Sequence, residues 1–542
     1  MAGLLGIGQS ALMAAYAQLQ TTGHNIANAN TPGYSVQDAQ FATAGGRYTG
    51  GGFLGMGVNL VTVQRRYDRF LAAELASATA AAAADQARSA QLGRLERLLA
   101  DTDNGIGAAI DDLNAALADV VNRPSDPSAR EVVVRRADTL AQRVQSADSS
   151  MRELGAGADE QIAQAAGRVN ELLDQFATLN ERIAQMRGSG HTPNDLLDER
   201  DRVMLQLNGY MKVTAHEQDD GTVNLFASGG EGLLVGTRPA SLVVGTEPGD
   251  ASRQRIVLQY GGTGLPMTSA SFGGGSIAGL MRFRDEDLAQ TRTALSALAQ
   301  RIAQGYNAQQ ALGVLADGSP GRPMFAFADG VLARELVSGA SLATAYAVAP
   351  QVSGTNRGDV SVTQFLVVDA SPADLRKPVT IRFNGDGTFD VTGDGTGNPA
   401  GQTYQPGQSI VFNGWTLTLR GTPQAGDAVE VVPNASPGTD NRNARAMIAL
   451  SGRPPDGGVA FTDGFAALLA DVGARAQSAA ASLVASEGLQ SNAKAAHTEY
   501  TAVNLDEEAA RLMQYQQMYQ AAAKVIQAAQ SMFDTLLSAT SR

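Results

Sequence analysis

Residues 4–27 read LLGIGQSALMAAYAQLQTTGHNIA, and residues 505–533 read LDEEAARLMQYQQMYQAAAKVIQAAQSMF. In the first stretch Leu5, Leu12, Leu19 and Ile26 recur every seven residues; in the second, Leu505, Leu512, Tyr519, Ile526 and Phe533 do the same. A seven-residue apolar repeat on a helix makes a narrow seam that requires a partner helix. Two such seams at opposite ends of one chain are natural partners, and pairing them makes everything between one long excursion. The first helix is expected from about Leu4 to Ala27. Its Gly6, Gly8 and Gly23 cost about 1 kcal/mol each against alanine, while burying four seam residues returns about 1.5–3 kcal/mol apiece. Such a helix is weak alone and firm when packed.

Directly after it comes Ala27-Asn28-Ala29-Asn30-Thr31-Pro32-Gly33-Tyr34-Ser35, the most specific local motif in the chain. Thr31-Pro32-Gly33 ends the helix, because proline disfavours helix for the residue before it and glycine supplies the turn. At the other end Asn504 is placed to cap a helix whose first turn carries Asp506, Glu507 and Glu508, acids that complement the positive helix end.

Composition narrows the function. A net charge of -13 argues against nucleic acid, whose recognition is dominated by Lys and Arg, and against anionic membrane surfaces. With no cysteine, disulfides, thiol nucleophiles and thiolate metal sites are excluded. No apolar run approaches the roughly 18 residues needed to span a bilayer, and the glycine-broken start Met1–Gln9 makes a poor secretory signal. The expectation is a chain that stays in the cytoplasm or leaves by a route that reads no cleaved signal.

Along the chain, 35–64 reads as short strands with glycine turns. Helices follow from about 67 to 100, 105 to 122, 127 to 154, 158 to 187 and 193 to 209, the third opened by Asp126 as N-cap and Pro127 at the first helical position. From 212 to 259 the apolar period changes to two, the signature of β structure. A helix at about 279–311 and a second β region at about 335–433 come next. Ile381-Arg382-Phe383-Asn384-Gly385 is echoed there by Ile410-Val411-Phe412-Asn413-Gly414, each heading a hairpin-like stretch. The remainder is helical, with a break at Arg453-Pro454-Pro455. The expected fold class is α+β and multidomain, an elongated molecule in four parts. These are a discontinuous terminal coiled coil (1–60 and 500–542), a discontinuous helical-bundle domain (61–210 and 440–499), a β-rich domain with its helix (211–334), and an outer β domain (335–439).

No catalytic constellation assembles. His24, His191, His216 and His497 stand apart, and each reads as a surface or turn residue. There is no Gly-x-Ser-x-Gly elbow, and Gly273-Gly274-Gly275-Ser276 lacks the lysine of a phosphate loop. The Asp-Gly turns at 384–395 resemble acidic calcium loops but lack the closing glutamate of an EF-hand; hairpin turns are the simpler reading. Asp198-Glu199-Arg200-Asp201 reads as a solvated helix face with local ion pairs. No catalytic residue, cofactor site or metal site is expected.

The string Asn28 to Ser35 resembles the motif shared by bacterial flagellar axial proteins: rod, hook and hook-associated proteins. Val503-Asn504-Leu505-Asp506-Glu507-Glu508 and YQQMYQAAAKVIQ at 515–527 are most similar to the hook-associated protein 1 family, which forms the hook–filament junction. NDLLDERD at 194–201, GLMRFRD at 279–285 and DNRNA at 440–444 fit the same family. Val36 departs from it, standing where many relatives carry a basic residue. The resemblance implies a structural role. Terminal helices, unordered before assembly, pack as a coiled coil lining the inner tube, and β domains face outward. Export is expected by the flagellar type III route without a cleaved signal, to an extracellular place at the junction. The implied partners are further copies in a ring, hook protein, the next hook-associated junction protein, and an export chaperone on the C-terminal helix. Hook protein itself, another axial component, and more remotely a secreted adhesin or enzyme using 335–433 are the competing readings.

Overall fold

The apolar spacings and alanine-rich tracts of this chain become mostly helix, interrupted by small antiparallel sheets. The computed structural model describes residues 2–48, 52–101, 105–188, 192–248, 250–452 and 459–540; the expected break at Arg453-Pro454-Pro455 and His191 lie outside them. The helices are α1 (Ala2–Asn28), α2 (Arg69–Leu99), α3 (Ile106–Asn122), α4 (Pro127–Gly188), α5 (Asn194–Tyr210), α6 (Ser269–Phe272), α7 (Gly275–Arg282), α8 (Ala289–Leu312), α9 (Arg442–Gly452), α10 (Phe461–Thr501) and α11 (Leu505–Thr540). The fold is α+β and multidomain.

Two helical expectations change. The helices expected at 127–154 and 158–187 are one helix of 62 residues, because the Gly155–Gly157 pair is tolerated inside a helix whose buried face continues through Met151, Ala158 and Ile162. Glycine there weakens the helix by about 1 kcal/mol each, less than the flanking burial restores. Second, the helix expected at 279–311 is three segments. A π-helical turn, Phe283–Leu288, joins α7 to α8. Asp126 does cap α4, accepting the Ser128 N–H at 2.8 Å.

The chain divides into two compact units. One comprises Met1–Leu92, Ala156–Glu286 and Gln477–Arg542; the other comprises Gly93–Gly155 and Asp287–Ala476. In the first unit a two-stranded ribbon (Gln37–Thr43 with Val58–Arg65) carries a register shift at Gln40/Phe41. A four-stranded and a three-stranded antiparallel sheet follow α5. Both sheets are tied to α4 by asparagines that substitute for a missing neighbour strand. Asn170 bonds the carbonyl and the N–H of Leu242 at 2.9 and 2.7 Å, and the fully buried Asn180 does the same for Val223.

In the second unit, helices α3, α8 and α9 carry an inserted β module. Its two sheets, Val348–Val352 through Gln402–Thr403 and Ser361–Val367 through Ser409–Phe412, face each other across their own apolar core. That core includes Phe365, Val379, Ile381, Phe383, Trp415, Leu417 and Val431. The two echoed Phe-Asn-Gly strings are indeed two hairpin turns. Asn384 N–H bonds the Thr388 carbonyl, and Asn413 and Gly414 take positive φ of 43° and 81° between paired strands, as a tight hairpin turn demands. The acids of this region serve the turns: Asp386 accepts the N–H and hydroxyl of Thr388. Among the described residues no group of three or more His, Asp or Glu side chains could hold a metal ion.

Trp415 is the only tryptophan, so its fluorescence reports the β module alone. Truncating the fully buried Leu417 next to it, Leu417→Ala, is expected to destabilise the module by about 2–5 kcal/mol. The check is the urea midpoint of tryptophan fluorescence, and an unchanged midpoint would contradict a self-contained core.

Candidate assembly site

The two chain ends fold against each other. Gly8 of α1 meets Ile526 of α11 near one end of the pair, and Asn25 meets Glu508 near the other, so the helices run antiparallel. Gly8 is required rather than tolerated: a Cβ there would lie 2.8 Å from Ile526 Cγ1. The most buried positions of α1 are Gly8, Ala15, Thr22 and Asn25, and those of α11 are Glu508, Ala522 and Ala529, with Tyr515 half-buried. The apolar heptad residues lie three positions before this row in both helices. Leu12, Leu19, Ile26, Leu512 and Ile526 are half-buried at its flank, whereas Leu5, Leu505, Tyr519 and Phe533 are 41, 51, 36 and 54% exposed. Small residues permit the close helix approach, and Leu5, Leu505, Tyr519 and Phe533 are left at the surface together with Met13, Tyr16, Met513 and Met518.

The motif between helix and ribbon is a folded plug. Asn28 accepts the Thr31 N–H on its carbonyl and the Thr31 hydroxyl on Oδ1, at 2.9 and 3.1 Å. Gly33 takes φ of 80°, a left-handed turn that only glycine adopts cheaply. Asn30 and Pro32 are exposed. Tyr34 reaches back, its hydroxyl donating to Asn25 Oδ1 at 2.8 Å and lying 3.0 Å from His24 Nδ1. Burial, reinforced by the carboxylates of Asp195, Asp198 and Glu508, holds that phenol above its ordinary pKa, so it stays a donor. Val36 is buried. Its N–H donates to the Thr501 carbonyl and its own carbonyl accepts from the Arg66 N–H, at 2.8 Å each, which pins the backbone from both sides.

Asp198 corrects the sequence reading of a solvated acidic face. It is buried, and its carboxylate accepts the Ser35 N–H at 3.0 Å, the Ser35 hydroxyl at 2.8 Å and Arg65 Nη1 at 2.8 Å. Arg65 also reaches Asp201 at 2.6 Å. Acids at 195, 198 and 201 share one face of α5, and the ribbon's basic end lies over it; the spacing was visible, the partner 133 residues away was not. Glu508 is corrected too. Asn504 caps α11 by accepting the N–H groups of Asp506 and Glu507 at 3.1 and 3.4 Å, but Glu508 is only 2% exposed. It accepts Asn25 Nδ2 at 3.1 Å and Arg511 Nη1 at 3.1 Å. Arg511 continues to Asp38 at 3.0 Å, and Asp38 to Arg66 at 2.8 Å. Asn25, Asp198, Arg65 and Arg511 are the residues that sequence reasoning missed.

The remaining histidines are placed locally. His216 stacks edge-on against Phe226. His497, half-buried near Arg65 and Asp201, has its pKa pushed below the ordinary value by burial, opposed by Asp201 and aided by Arg65.

Two outcomes follow. Asp198→Ala strands a buried guanidinium and two Ser35 donors and is expected to destabilise the first unit by about 3–5 kcal/mol, read as accelerated hydrogen exchange at Ser35 and Val36. His497 gives an acid-side pH dependence. The unfolded chain takes up a proton near pH 6.5 and the folded chain only lower, so stability falls as pH drops through that window. His497→Gln should flatten the slope in thermal melts between pH 7 and the low fives; an unchanged slope would assign it elsewhere.

Along its whole length the chain is similar to known flagellar proteins. The family model described as flagellar hook-associated protein FlgK helical domain matches residues 92–325. The models of the flagella basal body rod protein and of the flagellar basal body rod FlgEFG protein C-terminal match 5–34 and 494–539. Flagellar hook-associated protein 1 of Escherichia coli (strain K12) is 27% identical over 575 residues, covering 99% of this chain and all of that one. The protein of the same name from Salmonella typhimurium is 29% identical over 559 residues with the same coverage. The solved structure of the flagellar hook junction protein FlgK from Burkholderia pseudomallei shares the fold, with a TM-score of 0.68 at 23% identity over 78% of this chain and 99% of that one. Its two ends are matched by rod-protein models, its middle by the FlgK helical domain model, and its whole length is similar to relatives named flagellar hook-associated protein 1.

Proposed function

We propose that this chain is the structural subunit that joins hook to filament in the bacterial flagellum and gives the filament a platform on which to assemble. The observation that carries the reading is the folding of both chain ends into one helix pair that keeps apolar residues at its surface. Leu5, Met13, Tyr16, Leu505, Met513, Tyr519 and Phe533 suit contact with neighbouring subunits. The role needs no catalysis, and we assign none.

Each subunit docks its paired ends among further copies in a ring. One side of the ring meets hook protein, and the other presents a surface to the next junction protein. Residues 1–60 and 500–542 serve as the assembly part, 61–210 and 440–499 as helical support, and 211–334 and 335–439 as projecting β parts. Before assembly the ends are loose, and ordering is coupled to docking, which confines growth to the tip. Export by the flagellar type III route accords with this, as does a chaperone covering the apolar C-terminal helix on the way.

Deleting the gene and examining cells and medium together tests the role. Bare hooks with flagellin released into the medium are expected; missing hooks would point to a hook or rod component, and normal filaments would refute the junction. Leu512→Asp or Ile526→Asp is expected to leave the β module folded, by Trp415 fluorescence, and to abolish incorporation.

A further inference from the structure

Each terminal helix carries two rows at seven-residue spacing. The apolar rows are Leu5, Leu12, Leu19 and Ile26, and Leu505, Leu512, Tyr519, Ile526 and Phe533. The small rows are Gly8, Ala15 and Thr22, and Glu508, Tyr515, Ala522 and Ala529. The rows are three residues apart, which on a helix of 3.6 residues per turn is a rotation of about 60°. Hydrophobic burial alone favours turning α11 by that angle, so that its apolar row meets α1 and more carbon leaves water. The helices stop short of this: Ile526 reaches Gly8, but Tyr519 and Phe533 stay exposed.

What opposes the turn is a buried polar pair. Glu508 belongs to the small row, is 2% exposed, and has both carboxylate oxygens engaged, one with Asn25 Nδ2 and one with Arg511. Asn25 is 1% exposed. Its Nδ2 also donates to the Gln37 carbonyl at 2.9 Å, and its Oδ1 accepts the Gln37 N–H at 3.0 Å and the Tyr34 hydroxyl at 2.8 Å. The amide cannot follow a rotating α11, because the ribbon holds it from both sides. Turning α11 would leave Asn25 one bond short and carry the carboxylate away from its partner, and breaking a buried charged hydrogen bond is costly. One buried polar group is known to fix the pairing of helices whose apolar rows permit several.

We propose that the Asn25–Glu508 pair selects which face of the C-terminal helix meets the N-terminal helix, reserving the apolar rows for contact with other copies of this chain. The second clause rests on the junction reading; the first does not.

The absence of cysteine makes thiol labelling a clean test. Single Tyr519→Cys, Phe533→Cys and Ala522→Cys variants of the full chain are labelled with a maleimide at a concentration of stabilising osmolyte where circular dichroism shows the otherwise loose terminal helices formed. Labelling is expected at positions 519 and 533 and its loss at 522. Adding Glu508→Leu should reverse the pattern, with labelling lost at 519 and 533 and gained at 522, while helix content by circular dichroism is kept. Glu508→Gln, which can still accept from Asn25, should restore the parent pattern. A merely structural role for Glu508 predicts instead that all three sites label faster. That result, an unchanged pattern with Glu508→Leu, or equal labelling of all three sites in the parent, would each overturn the proposal. Incorporation into flagella is scored separately. A reversed pattern with normal incorporation would uphold the selection of the face and refute the use of the apolar rows in assembly.

Discussion

A buried amide must satisfy one acceptor and two donors at once, and the rest of this architecture hangs on how Asn25 does so. Its partners come from the ribbon strand, the motif tyrosine and the first turn of α11. The two chain ends, separated by 483 residues at this contact, therefore come together only around a folded motif. Gly33 supplies the turn that brings Tyr34 back, and Asp198 pins the next residue to α5. Removing any one of these leaves a buried donor or acceptor without its partner, which is why the plug behaves as a unit rather than as a set of contacts.

The same logic explains the pattern of charge. Asp38, Arg511, Glu508 and Arg66 form a chain of alternating sign across three elements. Exposed ion pairs on this protein, such as Arg136 with Asp112, contribute little against solvent. Glu508 differs because it is buried and also accepts from the Asn25 amide, so its desolvation is offset by geometry.

Periodicity in the chain exposed the terminal helices, the β regions and the echoed hairpins, because those depend on residues close in sequence. It also exposed the caps at Asp126 and Asn504. It did not expose the continuity of α4 through Gly155, since tertiary burial outweighs a local weakness. Nor did it distinguish the two heptad rows of each end: a repeat shows that a helix wants a partner, not which of two adjacent faces the partner takes. Asp198 read as a solvated acid and Glu508 as a helix-end acid because their partners, Arg65 and Asn25, lie far away in sequence, and burial of a charge is a property of the fold.

The β module enters and leaves the second unit through neighbouring strands. Val348 pairs directly with Pro433, and Asp440 gathers Arg442, Asn434 and the Tyr346 N–H into one clamp at that doorway. Chain termini that lie close together make a segment exchangeable as a block. The module is thus a cassette on a short stem. A cut and rejoining between residues near 346 and 434 therefore removes or exchanges it as one block and leaves the helices that carry it with their own packing.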